Sequence, residues 1–199
     1  MSFRLGLTGS VGMGKSTTAR MFAEAGVPVW DADATVHGLY APAKAGALAI
    51  AQLFPAVIGA DGAVRRDRLR DLIVADRTVL DRVNAAVHPM VTAERAAFLT
   101  AHAAAPVVLL DIPLLYETGA NRDCDAVVVV SAPAEVQRAR VLERGMSVAE
   151  LQMILSRQLP DTEKCARADY VILTTDLESA GSAVKDVLID VRRRMAANA

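Results

Sequence analysis

A glycine-rich segment near the start of the chain restricts the possible folds more than any other feature. Residues 9–16 have the sequence Gly-Ser-Val-Gly-Met-Gly-Lys-Ser and match the pattern G-x-x-x-x-G-K-[ST] in full. An apolar run typical of a strand precedes the segment and a helical pattern follows it, which is the context that this motif requires. Glycines let such a loop fold tightly, so that successive N–H groups and the N-terminus of the next helix face phosphate oxygens. The segment therefore predicts a site for a nucleoside triphosphate.

The residues of this loop have distinct predicted roles. We expect Lys15 to contact the β- and γ-phosphates as a mobile positive charge and the Ser16 hydroxyl to bind Mg²⁺. The spacing does not fit the dinucleotide pattern G-x-G-x-x-G, which disfavours a nicotinamide enzyme. The chain also has no Asn-Lys-x-Asp element for reading guanine, which weighs against a GTPase switch. The predicted ATP-binding residues of the loop are Gly9, Val11, Gly12, Met13, Gly14, Lys15, Ser16 and Thr17.

Short apolar runs alternate with helical patterns along the chain. Five runs are candidate strands, and several are continuously apolar, as in parallel strands buried on both faces. This order predicts an α/β fold with a five-stranded parallel sheet. We expect a single domain, with a core of residues 1–31, 105–133 and 162–199, a helical insertion of about 32–104 and a second insertion of about 134–161. The candidate strands are residues 3–7, 27–30, 106–110, 126–130 and 170–173.

Charge and composition exclude several classes of protein. The 199 residues include 22 Lys and Arg against 23 Asp and Glu, and this net charge of −1 disfavours a nucleic-acid partner. The longest apolar runs are far shorter than the roughly 20 residues of a membrane span. Cys124 and Cys165 are too far apart for a Cys-x-x-Cys site and are typical of free thiols in a reducing compartment. We therefore expect a cytoplasmic protein with no membrane partner, either a monomer or a small homo-oligomer.

Carboxylates follow two of the candidate strands. Asp31 and Asp33 come directly after the second strand, at the sheet edge where open α/β sheets bind ligands. A hydroxyl that accepts a phosphoryl group needs a carboxylate to orient it and to take its proton, although either Asp could instead cap the next helix. Asp111 ends the third strand, the position of an acid that reaches Mg²⁺ directly or through water.

Two further elements have both a functional and a structural interpretation. His88 precedes Pro89 between two helical patterns, residues 76–87 and 90–103, and Pro89 is expected to begin the second helix. Arg140 and Arg144 are four residues apart and share one helical face. That face is either solvated or closes over the nucleotide, in which case Arg140 meets the γ-phosphate.

The chain resembles the dephospho-CoA kinase family. The resemblance extends over nearly the whole chain, and the order and spacing of its motifs are specific. The matching elements are residues 7–17, Asp31-Ala-Asp33, His88-Pro89, residues 111–117 (Asp-Ile-Pro-Leu-Leu-Tyr-Glu), Gln137 with Arg140 and Arg144, Gln158, and residues 168–172 (Ala-Asp-Tyr-Val-Ile).

The resemblance implies a P-loop fold of the nucleoside-monophosphate kinase type, in which residues of about 32–104 form a helical insertion that binds the acceptor and residues of about 134–161 form a lid. It also implies ATP-dependent phosphorylation of the ribose 3′-hydroxyl of dephospho-CoA. It implies Asp33, Lys15 and Arg140 as catalytic residues, and Arg140 and Arg144 as further ATP-binding residues. Mg²⁺ is implied at Ser16 and Asp111. The implied acceptor-binding residues are Asp33, His88, Leu114 and Glu117.

Two departures from the family pattern leave part of the site open. Residues 173–176 (Leu-Thr-Thr-Asp) replace an Asn-x-Gly-like turn near the adenine, and Trp30 stands where a smaller aliphatic residue is usual. The open alternatives are another small-molecule kinase of the same fold, acting on a nucleoside monophosphate or shikimate, and a nucleotide-binding regulator without turnover. Asp33, Asp111 and Arg140 together argue against the regulator, because a pure binder needs no acceptor base.

Overall fold

The structure, a computed structural model, describes residues 2–197 and contains a five-stranded sheet. Its strands are β1 (Phe3–Thr8), β2 (Val29–Asp31), β3 (Val107–Asp111), β4 (Ala126–Ser131) and β5 (Tyr170–Leu173). Their order is β2-β3-β1-β4-β5, and β1 pairs in parallel with β3 and with β4, as β4 does with β5. The predicted α/β fold with a parallel sheet is confirmed.

Helices connect these strands along the chain. Those from Lys15 to Glu24 (α1) and from Leu177 to Ala197 (α9) lie on the sheet, and the others fill the long connections. The remaining helices are α2 (Ala32–Leu39), α3 (Ala45–Leu53), α4 (Arg66–Ala75), α5 (Thr78–Ala101), α6 (Ala134–Glu143), α7 (Val148–Leu155) and α8 (Asp161–Arg167), with 3₁₀ turns at Pro55–Val57 and Ala120–Asp123.

The chain divides into two compact units, Met1–Trp30 with His102–Ala199 and Asp31–Ala101. The core of the first unit consists of apolar residues of the sheet and of the two helices against it. Every residue of β3 and β4 is buried, which explains their continuous apolar sequence. Phe22 of α1 is fully buried against the sheet, which stabilises the fold by roughly 1.5–3 kcal/mol relative to an exposed ring.

The second unit has its own apolar core, formed by α2, α3, α4 and α5. Ile50 is fully buried there, and Val79, Val83 and Val87 lie along the inner face of α5. Their spacing of four residues places them on one side of that helix.

Helix α5 differs from the expectation of two helices that meet at Pro89. It is one continuous helix of 24 residues with Pro89 inside it, so the predicted break is wrong. Proline removes one N–H and leaves the carbonyl four residues earlier, that of Ala85, without its helical donor. Ala85 and Pro89 are both exposed, so water can reach that carbonyl, while the buried valines hold the opposite face of the helix. Helix α8, after Pro160, is an element that the sequence pattern did not indicate.

Among the described residues, no helix is long and apolar enough to cross a membrane.

Candidate active site

The phosphate loop lies between β1 and α1, at the carboxyl end of the central strand. Gly12 and Gly14 have φ angles of +78° and +88°, which glycine adopts without strain. Gly9 lies so close to β4 that a Cβ there would be 2.3 Å from a methyl of Val130. The loop thus needs glycine for conformation at two positions and for space at a third.

Helix α1 begins at Lys15, and its N-cap residue is Gly14, which has no side chain to cap the helix. The first N–H groups of a helix have no partner inside the helix, and they carry the positive end of its dipole. The N–H groups at the start of α1 are therefore suited to bind an anion, as the sequence motif predicts.

Lys15 pairs with the carboxylate at the end of β3. Its Nζ lies 2.5 Å from Asp111 Oδ1, and the Asp111 side chain is only 3% exposed. Leu7 and Asp111 are register partners across β1 and β3, so the parallel pairing brings the lysine loop and the acid to one edge of the sheet. The structure therefore brings together two predicted site residues that are distant in sequence.

The predicted magnesium ligands supply oxygen donors. Ser16 is exposed in the first turn of α1, and Asp111 carries a carboxylate at the neighbouring strand end. Mg²⁺ prefers oxygen and takes only one or two protein ligands when phosphates and water supply the rest. This donor set fits such an ion. Among the described residues, no group of three or more His, Cys, Asp or Glu could hold a metal.

The two predicted lid arginines line a cavity of about 150 Å³ beside the phosphate loop. Arg140 donates to Thr174 Oγ1 at 3.0 Å and also to the Thr174 carbonyl. Thr174 Oγ1 in turn donates to Met13 O of the loop at 2.8 Å. The cavity is lined by Gly14, Thr17, Thr18, Arg140, Arg144, Thr174, Asp176, Leu177 and Ala180.

Thr174 and Asp176 lie in the turn where the sequence departs from the family pattern. The buried Thr174 connects the loop to Arg140, a role that no local sequence signal indicates. Asp176 accepts the Ser179 N–H at 2.7 Å near the start of α9. This hydrogen bond, together with that from the Ser179 side chain, lowers the pKa of Asp176. The turn at residues 173–176 therefore has well-defined contacts of its own, although its sequence differs from the family pattern.

Glu117 forms an ion pair with a lysine that is fully buried. Its Oε1 lies 2.9 Å from Lys164 Nζ of α8 and also accepts the Leu159 N–H at 2.8 Å. Burial alone would raise the pKa of Glu117, but the lysine and the N–H outweigh it and hold the pKa below its usual 4.5. The predicted acceptor residue Glu117 is thus engaged with its own chain, and Leu114 is 40% exposed.

The remaining predicted acceptor residues lie in the unit Asp31–Ala101. Asp31 caps α2 by accepting the Ala34 N–H at 2.9 Å. Asp33, in the first turn of α2, is exposed, and its carboxylate makes no hydrogen bond or ion pair with any described residue. His88 is exposed on α5 and borders a surface groove with Asn84.

A family model described as dephospho-CoA kinase matches residues 3–178. The chain belongs to the dephospho-CoA kinase family. Among curated relatives, dephospho-CoA kinase from Cereibacter sphaeroides is 58% identical over 191 residues, covering 96% of each chain. The dephospho-CoA kinase from Jannaschia sp. is 54% identical over 178 residues, covering 89% of this chain and 91% of that one.

Two solved structures share the fold of this chain. TT1252 from Thermus thermophilus aligns with a TM-score of 0.81 at 32% identity, covering 95% of this chain and 97% of that chain. Dephospho-CoA kinase from Campylobacter jejuni aligns with a TM-score of 0.66 at 19% identity, covering 96% and 97%, and supports the fold alone. The resemblance to dephospho-CoA kinases inferred from sequence is confirmed, and with it the assignment as a kinase.

Proposed function

We propose that this member of the dephospho-CoA kinase family transfers the γ-phosphoryl group of ATP to the ribose 3′-hydroxyl of dephospho-CoA, giving coenzyme A and ADP. The observation that carries the proposal is the uncapped N-terminus of α1 beside the pair formed by Lys15 and Asp111, in a chain that matches the family over residues 3–178. These groups provide the positive charge and the N–H donors that a triphosphate requires.

The phosphate loop would hold the triphosphate in position for transfer. Lys15 is a point charge for the β- and γ-phosphates, and Thr17 borders the cavity where the α-phosphate and the nucleoside would lie. Ser16 and Asp111 would hold Mg²⁺, which supplies charge neutralisation to the phosphates when bound.

The arginines of α6 would stabilise charge on the nucleotide. Arg140 and Arg144 both border the cavity beside the loop, and Arg140 is held there by Thr174. Negative charge spreads over the transferred group during phosphoryl transfer, and a fixed guanidinium stabilises that charge without reorganisation.

Asp33 would act as the general base. As the 3′-oxygen bonds to the γ-phosphorus, its proton passes to the Asp33 carboxylate and the bond from the γ-phosphorus to the leaving oxygen breaks, which releases ADP. The exposed carboxylate of Asp33 has no partner among the described residues, so it is available to accept that proton. We also propose His88, Leu114 and Glu117 as residues of the acceptor site, with Glu117 acting through its contacts inside the chain.

Among the described residues, neither Cys124 nor Cys165 forms a disulfide. Free thiols are typical of a reducing compartment, which supports a cytoplasmic location. We propose that the enzyme works there as a monomer or a small homo-oligomer.

The variant Asp33→Asn tests the assignment of the base. We expect kcat with dephospho-CoA to fall by about 10²- to 10⁴-fold, the usual contribution of general base catalysis, while ADP affinity stays unchanged. Asp71→Asn is the matched control, because Asp71 is an exposed aspartate of α4 in the same unit and its carboxylate makes no hydrogen bond or ion pair with any described residue. Phosphorus NMR of the product checks that the new phosphate is on the 3′-oxygen. An unchanged kcat in Asp33→Asn would remove Asp33 as the base.

A further inference from the structure

Two glutamine side chains bind the backbone of one residue of the phosphate loop, Val11, one at its carbonyl and one at its N–H. Gln137 Nε2 donates to Val11 O at 2.7 Å, and the Val11 N–H donates to Gln158 Oε1 at 3.4 Å. Because a backbone carbonyl can only accept and an N–H can only donate, the direction of each bond is set by Val11 itself. Gln137 is 6% exposed, so its bond is the better shielded of the two.

Helix α6, which carries Gln137, lies directly against the loop. A Cβ built on Gly12 would be 2.6 Å from a methyl of Val141 and 3.1 Å from the Gln137 carbonyl oxygen. The same helix carries Arg140, which is linked to Met13 through Thr174. A displacement of α6 would therefore disturb the loop at successive residues.

The segment that carries Gln158 is also fixed in place. The next residue, Leu159, donates its N–H to Glu117 Oε1, and that oxygen pairs with the fully buried Lys164. Gln158 is thus held at its backbone on one side while its side chain meets Val11 on the other. The ion pair supports the position of the glutamine.

We infer that Gln137 and Gln158 are positioning residues for phosphate binding, acting through Val11. The loop backbone belongs to neither strand nor helix, so its polar groups need partners from elsewhere. By fixing the two peptide groups on either side of the Val11 Cα, the two amides keep the following N–H groups in one arrangement before the nucleotide arrives. An amide suits this place because it is neutral, whereas a carboxylate would repel the triphosphate. This inference rests on the proposed function.

The test replaces each glutamine with glutamate. Glu at position 137 has no donor for Val11 O, whereas Glu at position 158 still accepts the Val11 N–H. The two variants Gln137→Glu and Gln158→Glu add the same charge near the same residue, so their difference reports the hydrogen bond. We expect the Kd for ADP, measured by calorimetry, to rise about tenfold more in Gln137→Glu than in Gln158→Glu, the effect of one lost hydrogen bond.

Two further variants keep the outcome clear. Gln137→Met removes the donor to Val11 O without adding charge, and it can replace Gln137→Glu in the test if that variant does not fold. Gln152→Glu adds a charge to the exposed face of α7 and should leave the ADP Kd within twofold. Gln137→Met should raise the Kd for ADP and the KM for ATP about tenfold, with the KM for dephospho-CoA within twofold.

Two results would overturn the inference. One is a Gln137→Met protein with a lower Tm but an unchanged ADP Kd, which would make the glutamine merely structural. The other is equal ADP affinity in Gln137→Glu and Gln158→Glu. If the wild-type protein binds ADP but does not phosphorylate dephospho-CoA, the proposed function fails while the ADP Kd values still test the positioning role.

Discussion

Breaking the ion pair between Glu117 and Lys164 should have unequal effects from its two sides. The Lys164 side chain is 0% exposed and that of Glu117 is 17% exposed. The lysine ammonium makes no hydrogen bond beyond the ion pair among the described residues, whereas Glu117 also accepts the Leu159 N–H. The variant Glu117→Gln keeps an acceptor for that N–H but leaves a buried ammonium unpaired. Lys164→Met leaves a carboxylate that still has one donor and some access to water.

The expected magnitudes follow from this burial. Removing one partner of a buried pair costs about 3–5 kcal/mol when the other charge is left without compensation, and Glu117→Gln should approach the lower end of that range. Lys164→Met should cost about 1–3 kcal/mol, since the remaining carboxylate is partly solvated and hydrogen-bonded. The double variant carries neither charge and should be more stable than Glu117→Gln alone by at least about 1 kcal/mol.

Urea unfolding at pH 7, followed by tryptophan fluorescence, measures these differences. Trp30 is the only tryptophan of the chain, is 7% exposed and belongs to the same compact unit as the ion pair. Lys185→Met is the matched control, because this lysine of α9 is exposed and its loss should change the free energy of unfolding by less than about 0.5 kcal/mol. A cost in Lys164→Met equal to or above that in Glu117→Gln, or a double variant no more stable than Glu117→Gln, would refute the reasoning.

Three further predictions concern the loop and the pH dependence of stability. Lys15→Ala should lower kcat/KM by about 10²-fold or more and also lower Tm, because the nearly buried Asp111 loses its ion pair with Lys15; normal turnover would contradict the phosphate-loop assignment. Gly12→Ala should weaken ADP binding about tenfold or more, because the new Cβ would collide with α6. Gly26→Ala is the control and should keep wild-type affinity, because Gly26 has a similar φ but open space around it. Equal losses of ADP affinity in the two variants would contradict the packing argument. Folding lowers the pKa of Glu117, so its carboxylate stabilises the protein above pH 4.5, and this effect is lost as the pH falls further. The difference in unfolding free energy between wild type and Glu117→Gln should therefore shrink below pH 4.5. A difference that grows on acidification would contradict the lowered pKa.

The strands and the phosphate loop are predictable because their signals are local. Residues of β3 and β4 are buried on both faces, which requires a continuous apolar run visible in the sequence. The loop needs glycine at Gly12 and Gly14 for positive φ angles and a lysine at the helix start, so its pattern is compact and specific.

Contacts between distant residues are not predictable in this way. Lysine is rarely buried, and nothing near Lys164 indicates that its partner is Glu117. Thr174 gains its role only because β5 ends beside the loop and α6 brings Arg140 to it. Pro89 shows the same limit for a helix, since its local preference to begin one is overridden by the buried valines of α5.

The most direct test of the central claim is the choice of acceptor. ADP release is measured with ATP and Mg²⁺ in the presence of dephospho-CoA, adenosine monophosphate, cytidine monophosphate or shikimate, each at the same concentration. We expect turnover with dephospho-CoA and only background ADP release with the other three acceptors. Turnover with another acceptor and none with dephospho-CoA would contradict the proposed function while leaving the phosphate-loop chemistry intact, and ATP binding without turnover on any acceptor would favour a nucleotide-binding regulator.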